Sequence, residues 1–276
     1  MRKRSAILLL LPAFVGVLIF TFYPLIQIII PTLNQSSDYG KLYLEFLKSS
    51  YNQTVIFRTL AIALFTTLVV LVLGLPLAIW IARQDEKVRK LLSVIILFPM
   101  LTNAVIRNFA WIIILGKNGV FNDLLLKLHL ISAPITILYT NAAIVIGSAY
   151  LFLPIMVTSL VGSITELNIE TEEAAAVLGA GAMTNLFKVI IPQLTTGILT
   201  GCILVFAGTM TAYTTPQLLG GNRHLVMATL IYQQAMTLGD WTNASVVAII
   251  LIILSVVIMF AINKLMKKLD RRKVNA

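Results

Sequence analysis

The feature that most limits what this chain can fold into is a series of long apolar runs. A helix needs about 20 consecutive apolar residues to cross a bilayer. Six stretches qualify: Ala6–Ile30, Leu60–Ala82, Leu91–Leu115, Ile135–Val161, Leu194–Ala212 and Ala244–Leu265. Lipid offers no hydrogen-bond partner to an open backbone, so each run is expected to close its own bonds as an α-helix. The composition agrees. Of 276 residues, 59% are hydrophobic and only 12% are charged, more apolar surface than a soluble domain of this size hides. The expected fold class is an all-α polytopic membrane protein with six transmembrane helices, one domain over residues 1–276. Met1-Arg2-Lys3-Arg4 resembles the basic start of a signal peptide. The apolar run behind it is too long for one and lacks a small-x-small cleavage site, so it reads as a retained first span.

The net charge of +10 is a matter of orientation rather than of nucleic acid, because no basic-aromatic platform is present. With the N-terminus inside, the inner segments hold Arg2, Lys3, Arg4, Arg83, Lys87, Arg89, Lys90, Lys188, Lys264, Lys267, Lys268, Arg271, Arg272 and Lys273. The outer segments hold Lys41, Lys48, Arg58, Lys117, Lys127 and Arg223. Positive charge is retained on the cytosolic side, so both termini are expected there. The lone Cys202 lies in an apolar run, cannot form an internal disulfide and reads as packing.

The longest polar interruption on that inner side lies within residues 163–193. Asn168 is a plausible N-cap, followed by Glu170, Glu172 and Glu173 in or near the first turn, where carboxylates suit the positive end of a helix. Ala174, Ala175 and Ala176 give high helix propensity and a flat, small face. Gly179 fits the left-handed position past a helix end. Gly181 caps a second helix whose Met183, Leu186, Phe187 and Ile190 form an apolar face, with Asn185 and Lys188 turned away. Pro192 is expected to open the next span.

Glu173-Ala174-Ala175, three residues, Gly179, nine residues, then Val189-Ile190-Ile191-Pro192 resembles the EAA loop of ABC-importer permeases. Val189 and Ile191 depart conservatively from that pattern, and Gly181 stands where a serine is frequent. The resemblance implies the type I ABC-importer permease (MetI-like) fold and an ATPase-coupling role for Glu172, Glu173, Ala174, Ala175, Gly179, Gly181, Met183 and Phe187. It also implies partners: a second permease subunit in a heterodimer, a dimer of ABC ATPases and an extracytoplasmic solute-binding protein. The chain contains no GxxxxGK[ST] phosphate loop, so ATP and magnesium would belong to the ATPase and no cofactor to this chain.

Polar residues inside the spans are the second group of candidates. Asn103, Arg107 and Trp111 recur every four residues and form one stripe, with Asn108 beside it. Arg107 falls about 12 Å from the outer end of its span at 1.5 Å per residue. An ionisable residue at that depth either lines an aqueous path or gate, or pairs with backbone carbonyls. Tyr150, Pro154 and Thr158 make a stripe in the fourth span; Thr209, Tyr213 and Gln217 make one in and beyond the fifth. Both packing and a translocation path fit these. Pro24, Pro76, Pro99 and Pro154 are expected to kink their helices, and Gly197 and Gly201 form a GxxxG contact. Among the outer segments, Tyr43–Leu47 is expected to form a short amphipathic helix. Residues 213–243 are expected to carry a longer one at His224–Leu238, with Leu225, Ala228, Ile231, Tyr232, Ala235 and Leu238 on its apolar side. His129 and His224 have no ligand-spaced neighbours and read as surface histidines.

A wider likeness surrounds the loop. Pro99, Thr102, Asn103, Ile106 and Arg107, then Gly116, Asn118, Gly119 and Asn122, then Gly220-Gly221, Ile231, Gln234 and Asp240-Trp241 resemble the spermidine/putrescine permease branch. The likeness implies import of a small solute across the bacterial inner membrane by alternating access, with a polyamine first. Opines, amino-phosphonates, other small anions and amino acids are the alternatives. No Asp or Glu lies in any expected span, so a cation would meet aromatic faces and amides. The same absence argues against a secondary transporter driven by an ion gradient, which needs acids or broken half-helices near the midplane.

Overall fold

The apolar runs become helices whose ends are set by caps and breaks. The computed structural model describes residues 3–34 and 40–269; Arg2, Arg271, Arg272 and Lys273 of the orientation argument lie outside the described residues. In order the helices are α1 (Lys3–Asn34), α2 (Lys41–Lys48), α3 (Ser50–Ala82), α4 (Glu86–Ile96), α5 (Phe98–Leu101), α6 (Ala104–Leu115), α7 (Val120–Lys127) and α8 (Asn141–Thr165). They continue with α9 (Ile169–Val177), α10 (Ala182–Asn185), α11 (Ile191–Gln193), α12 (Thr195–Thr211), α13 (Thr214–Gly220), α14 (Met227–Tyr232) and α15 (Trp241–Leu269). A π-turn, Leu186–Ile190, joins α10 to α11, and another, Gln233–Thr237, extends α14. Among the described residues, five helical segments are long and apolar enough to span, and a sixth follows if the bent pair Ala182–Gln193 and Thr195–Thr211 counts as one.

Two compact units share the chain, residues 1–54 with 227–253 and residues 55–226 with 254–276. In the first, Tyr43 on α2 donates its hydroxyl hydrogen to Thr32 Oγ1 on α1 at 2.8 Å, and Asn52 Nδ2 donates to the Phe46 carbonyl at 3.1 Å. The apolar segment Phe14–Leu33 of α1 is almost wholly uncovered within the chain, with Thr32, which Tyr43 meets, as its buried exception.

The second unit holds the main core. Val70, Ala78 and Ile81 of α3 meet Phe152, Met156, Val157 and Leu160 of α8 and Ile198 and Val205 of α12. Helices α8 and α12 approach closely at the GxxxG pair: Ser159 Oγ donates to the Gly197 carbonyl at 3.1 Å, and a Cβ added at Gly197 would stand 2.7 Å from the Ser163 Cβ. A smaller cluster joins Leu115 of α6, Ala143 of α8 and Leu219 of α13. Between α7 and α8, Asn122 ties the irregular chain down, donating to the Gly116 and Ile135 carbonyls and accepting from Ile135 N at 2.9 Å.

Three expectations about the elements need correction. The stretch Leu91–Leu115 is not one helix: it is interrupted around Leu97 and again at Thr102–Asn103. Pro99 cannot donate an amide hydrogen, and Asn103 caps a new helix instead of continuing the old one. Pro192 does not open the fifth span; it sits in α11, and the chain bends by 72° before α12 begins. Over residues 225–238 the buried side differs from the expected one. Leu225 and Ala235 of the expected side are buried, but so are Thr229 and Leu230, while Tyr232 and Leu238 are exposed; the regular helix covers only Met227–Tyr232 and gives way to a π-turn, so no single 3.6-residue period runs through the stretch. Pro76 and Pro154, by contrast, lie within α3 and α8 without ending them.

Candidate functional site

The segment 163–193 is an elbow at the end of α8. Asn168 Oδ1 accepts the Glu170 amide hydrogen at 3.0 Å and so caps α9, whose first turn carries Glu170 and Glu172. Helix α9 stops at Val177. Gly179 adopts φ +84°, which a side chain would strain, and the turn closes as Gly179 N donates to the Ala176 carbonyl and Ala180 N to the Ala175 carbonyl. Gly181 caps α10 through its extended backbone, with no side chain to add a bond.

The elbow projects apolar side chains. Val177 is 87% and Leu178 88% exposed, and Met183 and Phe187 are also exposed. Leu186 and Ile190, placed on the same expected face, turn inward to the core instead. The amphipathic face is thus split into an outward pair, Met183 and Phe187, and an inward pair. Glu173, Ala174, Gly179 and Gly181 are exposed, and Ala175 is half-buried. Val177 and Leu178 escape a motif reading because they fall in its variable positions. Their signal is local: two large apolar residues directly before a helix-ending glycine.

Glu172 behaves differently from Glu173. Its side chain is 12% exposed and forms an ion pair with Arg83, just past the end of α3. Arg89 Nη1 donates to the Ala82 carbonyl at 3.4 Å, so two arginines gather at the end of α3. Beside them an open cleft of about 350 Å³ is lined by Arg83, Gln84, Arg89, Thr165, Leu167 and Glu172. Sequence reasoning counted Arg83 only toward orientation.

The second candidate group gathers at the start of α6. Asn103 Oδ1 accepts from Val105 N at 2.8 Å and from Ile106 N at 3.3 Å, so this residue is a cap rather than a member of a helical stripe. Arg107 is 8% exposed. Its Nη1 donates to the Pro99 carbonyl at 2.8 Å, which the Thr102 hydroxyl also reaches, and to the Thr102 carbonyl at 3.3 Å, both at the break before α6. Asn108 is fully buried and donates to the Ala104 carbonyl at 2.8 Å. One turn on, Trp111 meets Tyr150 of α8 edge to face, with ring centroids 5.6 Å apart and planes at 74°. These two rings border an apolar gap of about 270 Å³ together with Val69, Val70 and Leu73 of α3.

Arg107, Trp111 and Tyr150 are thereby brought into one region. Thr209 is buried and donates to the Val205 carbonyl one turn back in its own helix. Tyr213 precedes α13, and Gln217 lies within it, both half-buried. Helix α13 packs on both α6 and α8.

Known proteins supply the frame for these two sites. A family model described as binding-protein-dependent transport system inner membrane component matches residues 74–275. The spermidine/putrescine transport system permease protein PotB of Escherichia coli (strain K12) is 34% identical over 242 residues, which cover 85% of this chain and 88% of that one. The molybdenum transport system permease protein ModB of Mycobacterium tuberculosis (strain ATCC 25618 / H37Rv) is 27% identical over 255 residues, 91% of each chain. In the crystal structure of a bacterial ABC transporter involved in the import of the acidic polysaccharide alginate, one chain shares the fold. The TM-score is 0.80, over 97% of this chain and 96% of that chain, with 18% sequence identity. The family match, the extended likeness to PotB and the shared fold converge: this chain belongs to the binding-protein-dependent transport system inner membrane components, the permease subunits of ABC importers.

Proposed function

We propose that this permease moves a polyamine such as spermidine or putrescine into the cytoplasm, and that residues 163–193 take up the force of ATP hydrolysis from a separate ATPase. The observation that carries the second part is the elbow. Val177, Leu178, Met183 and Phe187 are large apolar side chains left exposed on either side of a glycine turn, near the exposed carboxylate of Glu173. A lone soluble surface gains nothing from such exposure, whereas a groove on a partner buries it, as in helix-in-groove recognition. Ala174 permits close approach, and Glu173 meets a basic side chain of the ATPase. ATP and magnesium are held by that ATPase. The elbow and both termini lie on the cytosolic side, and a binding protein delivers solute on the other. A second, non-identical permease completes the pore, and the pair alternates between inward and outward access.

The polyamine assignment rests on the relative at 34% identity and on the chemistry of the spans. Arg107 is the one feature that favours an anion. Its Nη1 is engaged by the carbonyls of Pro99 and Thr102, which supports a role in closing the helix break rather than in meeting solute. Trp111 and Tyr150 offer ring faces to a cation, contacts worth about 1–2 kcal/mol each when desolvated.

The test is reconstitution of both permeases with the ATPase and the binding protein in liposomes, with radiolabelled spermidine as solute. Uptake is expected to require ATP on the ATPase side. Gly179→Asp, which forces a side chain into φ +84°, is expected to abolish uptake while the permease still inserts. Normal uptake by this variant removes the elbow from the mechanism. Competition by molybdate but not by putrescine overturns the choice of solute.

A further inference from the structure

We infer that Arg83 and Glu172 form an internal latch that positions the elbow: Glu172 does not face the ATPase but fastens α9 to the end of α3. The inference rests on the elbow reading above and divides its two adjacent glutamates between different tasks.

Three observations lead to it. Glu172 and Glu173 are neighbours in the first turns of α9, yet Glu172 is 12% exposed and Glu173 is exposed. Adjacent helical residues point about 100° apart, so one helix presents a carboxylate to each side. The inward carboxylate meets Arg83, 89 residues away in sequence, in a charge-assisted hydrogen bond. Last, the end of α3 is itself held. Arg83 N donates to the Ile79 carbonyl and Gln84 N to the Ile81 carbonyl, while Arg89 bridges back to the Ala82 carbonyl. The arginine is therefore mounted on a fixed helix end, not on a loose loop.

The mechanical consequence follows from the core. Helix α3 contributes Val70, Ala78 and Ile81 to the cluster that also holds α8 and α12. A load on the exposed face of α9 reaches α8 through the short link Glu166–Asn168, and through the latch it also reaches α3. Without the latch, α9 is held only by that link and by its packing on α10 and the turn Leu186–Ile190, neither of which ties it to α3. An exposed ion pair contributes little to stability, and Arg83 is 53% exposed. The latch therefore acts on where the elbow stands, not on whether the protein folds. Arg83 and Glu172 are positioning residues; neither touches solute or nucleotide.

A double-mutant cycle in the full transporter tests this. Arg83→Ala, Glu172→Ala and the double variant are prepared in a Cys202→Ser background that also carries Val177→Cys. Two quantities are read: stimulation of ATP hydrolysis by the solute-loaded binding protein, and cross-linking of the introduced thiol to the ATPase. Each single variant is expected to lower the stimulation about fivefold, and the double variant is expected to fall no further, because the second change removes a partner already lost. Copurification of the ATPase is expected to be unchanged. Singles that stimulate normally overturn the latch. So do effects that multiply in the double variant, which means Glu172 and Arg83 act apart, for instance with Glu172 on the ATPase. Absence of the cross-link when Arg83 and Glu172 are both intact overturns the elbow reading itself, a separate outcome from failure of the latch.

Discussion

At the scale of single residues, Arg107 shows how a charge is accommodated in a buried, apolar setting. A guanidinium there is costly unless its hydrogens find acceptors. At the break, the Pro99 carbonyl accepts from the Thr102 hydroxyl at 2.8 Å and from Arg107 Nη1, and the Thr102 carbonyl accepts from Arg107 Nη1 as well, while the buried Arg107 Nε has no partner among the described residues. The arrangement is reciprocal: the break supplies acceptors, and the arginine makes the break tolerable. Arg107→Leu is therefore expected to lower the melting temperature of the purified complex, at about 1–3 kcal/mol for the Thr102 carbonyl left unpaired, since Pro99 keeps the Thr102 hydroxyl. Arg107→Lys, which keeps the charge without the fork, is expected to fall between. An unchanged melting temperature with a raised KM for spermidine would place Arg107 in the path instead. The sequence marks Arg107 as a charge within an apolar run, but not its partners. Four-residue spacing put Asn103 on a stripe with Arg107, whereas an Asn at the start of a helix uses its side chain on its own backbone, a local bond that spacing alone does not reveal.

At the scale of elements, apolar runs and glycine turns were legible, and helix breaks were not. The Asn168 cap, the left-handed Gly179, the Gly181 start and α2 around Tyr43–Leu47 all follow from short-range chemistry, and all are present. The bend after Gln193 and the two π-turns depend on what packs against them, so local propensity is silent about them. The outward turn of Val177 and Leu178 also depends on the tertiary position of the glycine turn. The GxxxG pair is an intermediate case: the motif marked close contact, and the structure identifies α8 as the neighbour. Substituting one glycine on each helix of this pair separates packing from propensity. Gly197→Ala forces a methyl against Ser163 and is expected to cost about 1–3 kcal/mol as an overpacked contact. Gly162→Ala meets open space and is expected to be neutral or to stabilise slightly, since alanine favours helix. Thermal unfolding of the two variants in one detergent checks the contrast. Equal melting temperatures mean that α8 and α12 do not rely on that close approach.

At the scale of the whole molecule, the chain is a multi-pass inner-membrane protein, and its family is that of a subunit rather than of a self-sufficient machine. Two features of the chain carry the same message in physical terms. The large apolar residues of the segment Phe14–Leu33 stand exposed within the chain, so their covering is lipid or another protein. At the elbow, large apolar side chains stand in the open beside carboxylates. Which way these features point across the bilayer follows from charge alone. In the expected topology the described inner segments carry Lys3, Arg4, Arg83, Lys87, Arg89, Lys90, Lys188, Lys264, Lys267 and Lys268, against Lys41, Lys48, Arg58, Lys117, Lys127 and Arg223 in the outer ones. Each cation resists transfer across the membrane potential, so the denser set is expected to stay in the cytoplasm. The orientation is checked by single cysteines in a Cys202→Ser background. Leu178→Cys, at the exposed tip of the elbow, is expected to react with an impermeant maleimide in inside-out vesicles and not in right-side-out ones. Lys127→Cys, at the end of α7, is expected to show the opposite pattern. Reaction of both positions from the same side breaks the six-span topology, because an even number of crossings would then separate α7 from α9. Reaction of Leu178→Cys from the outside alone reverses the chain, and with it the elbow loses access to any ATPase in the cytoplasm.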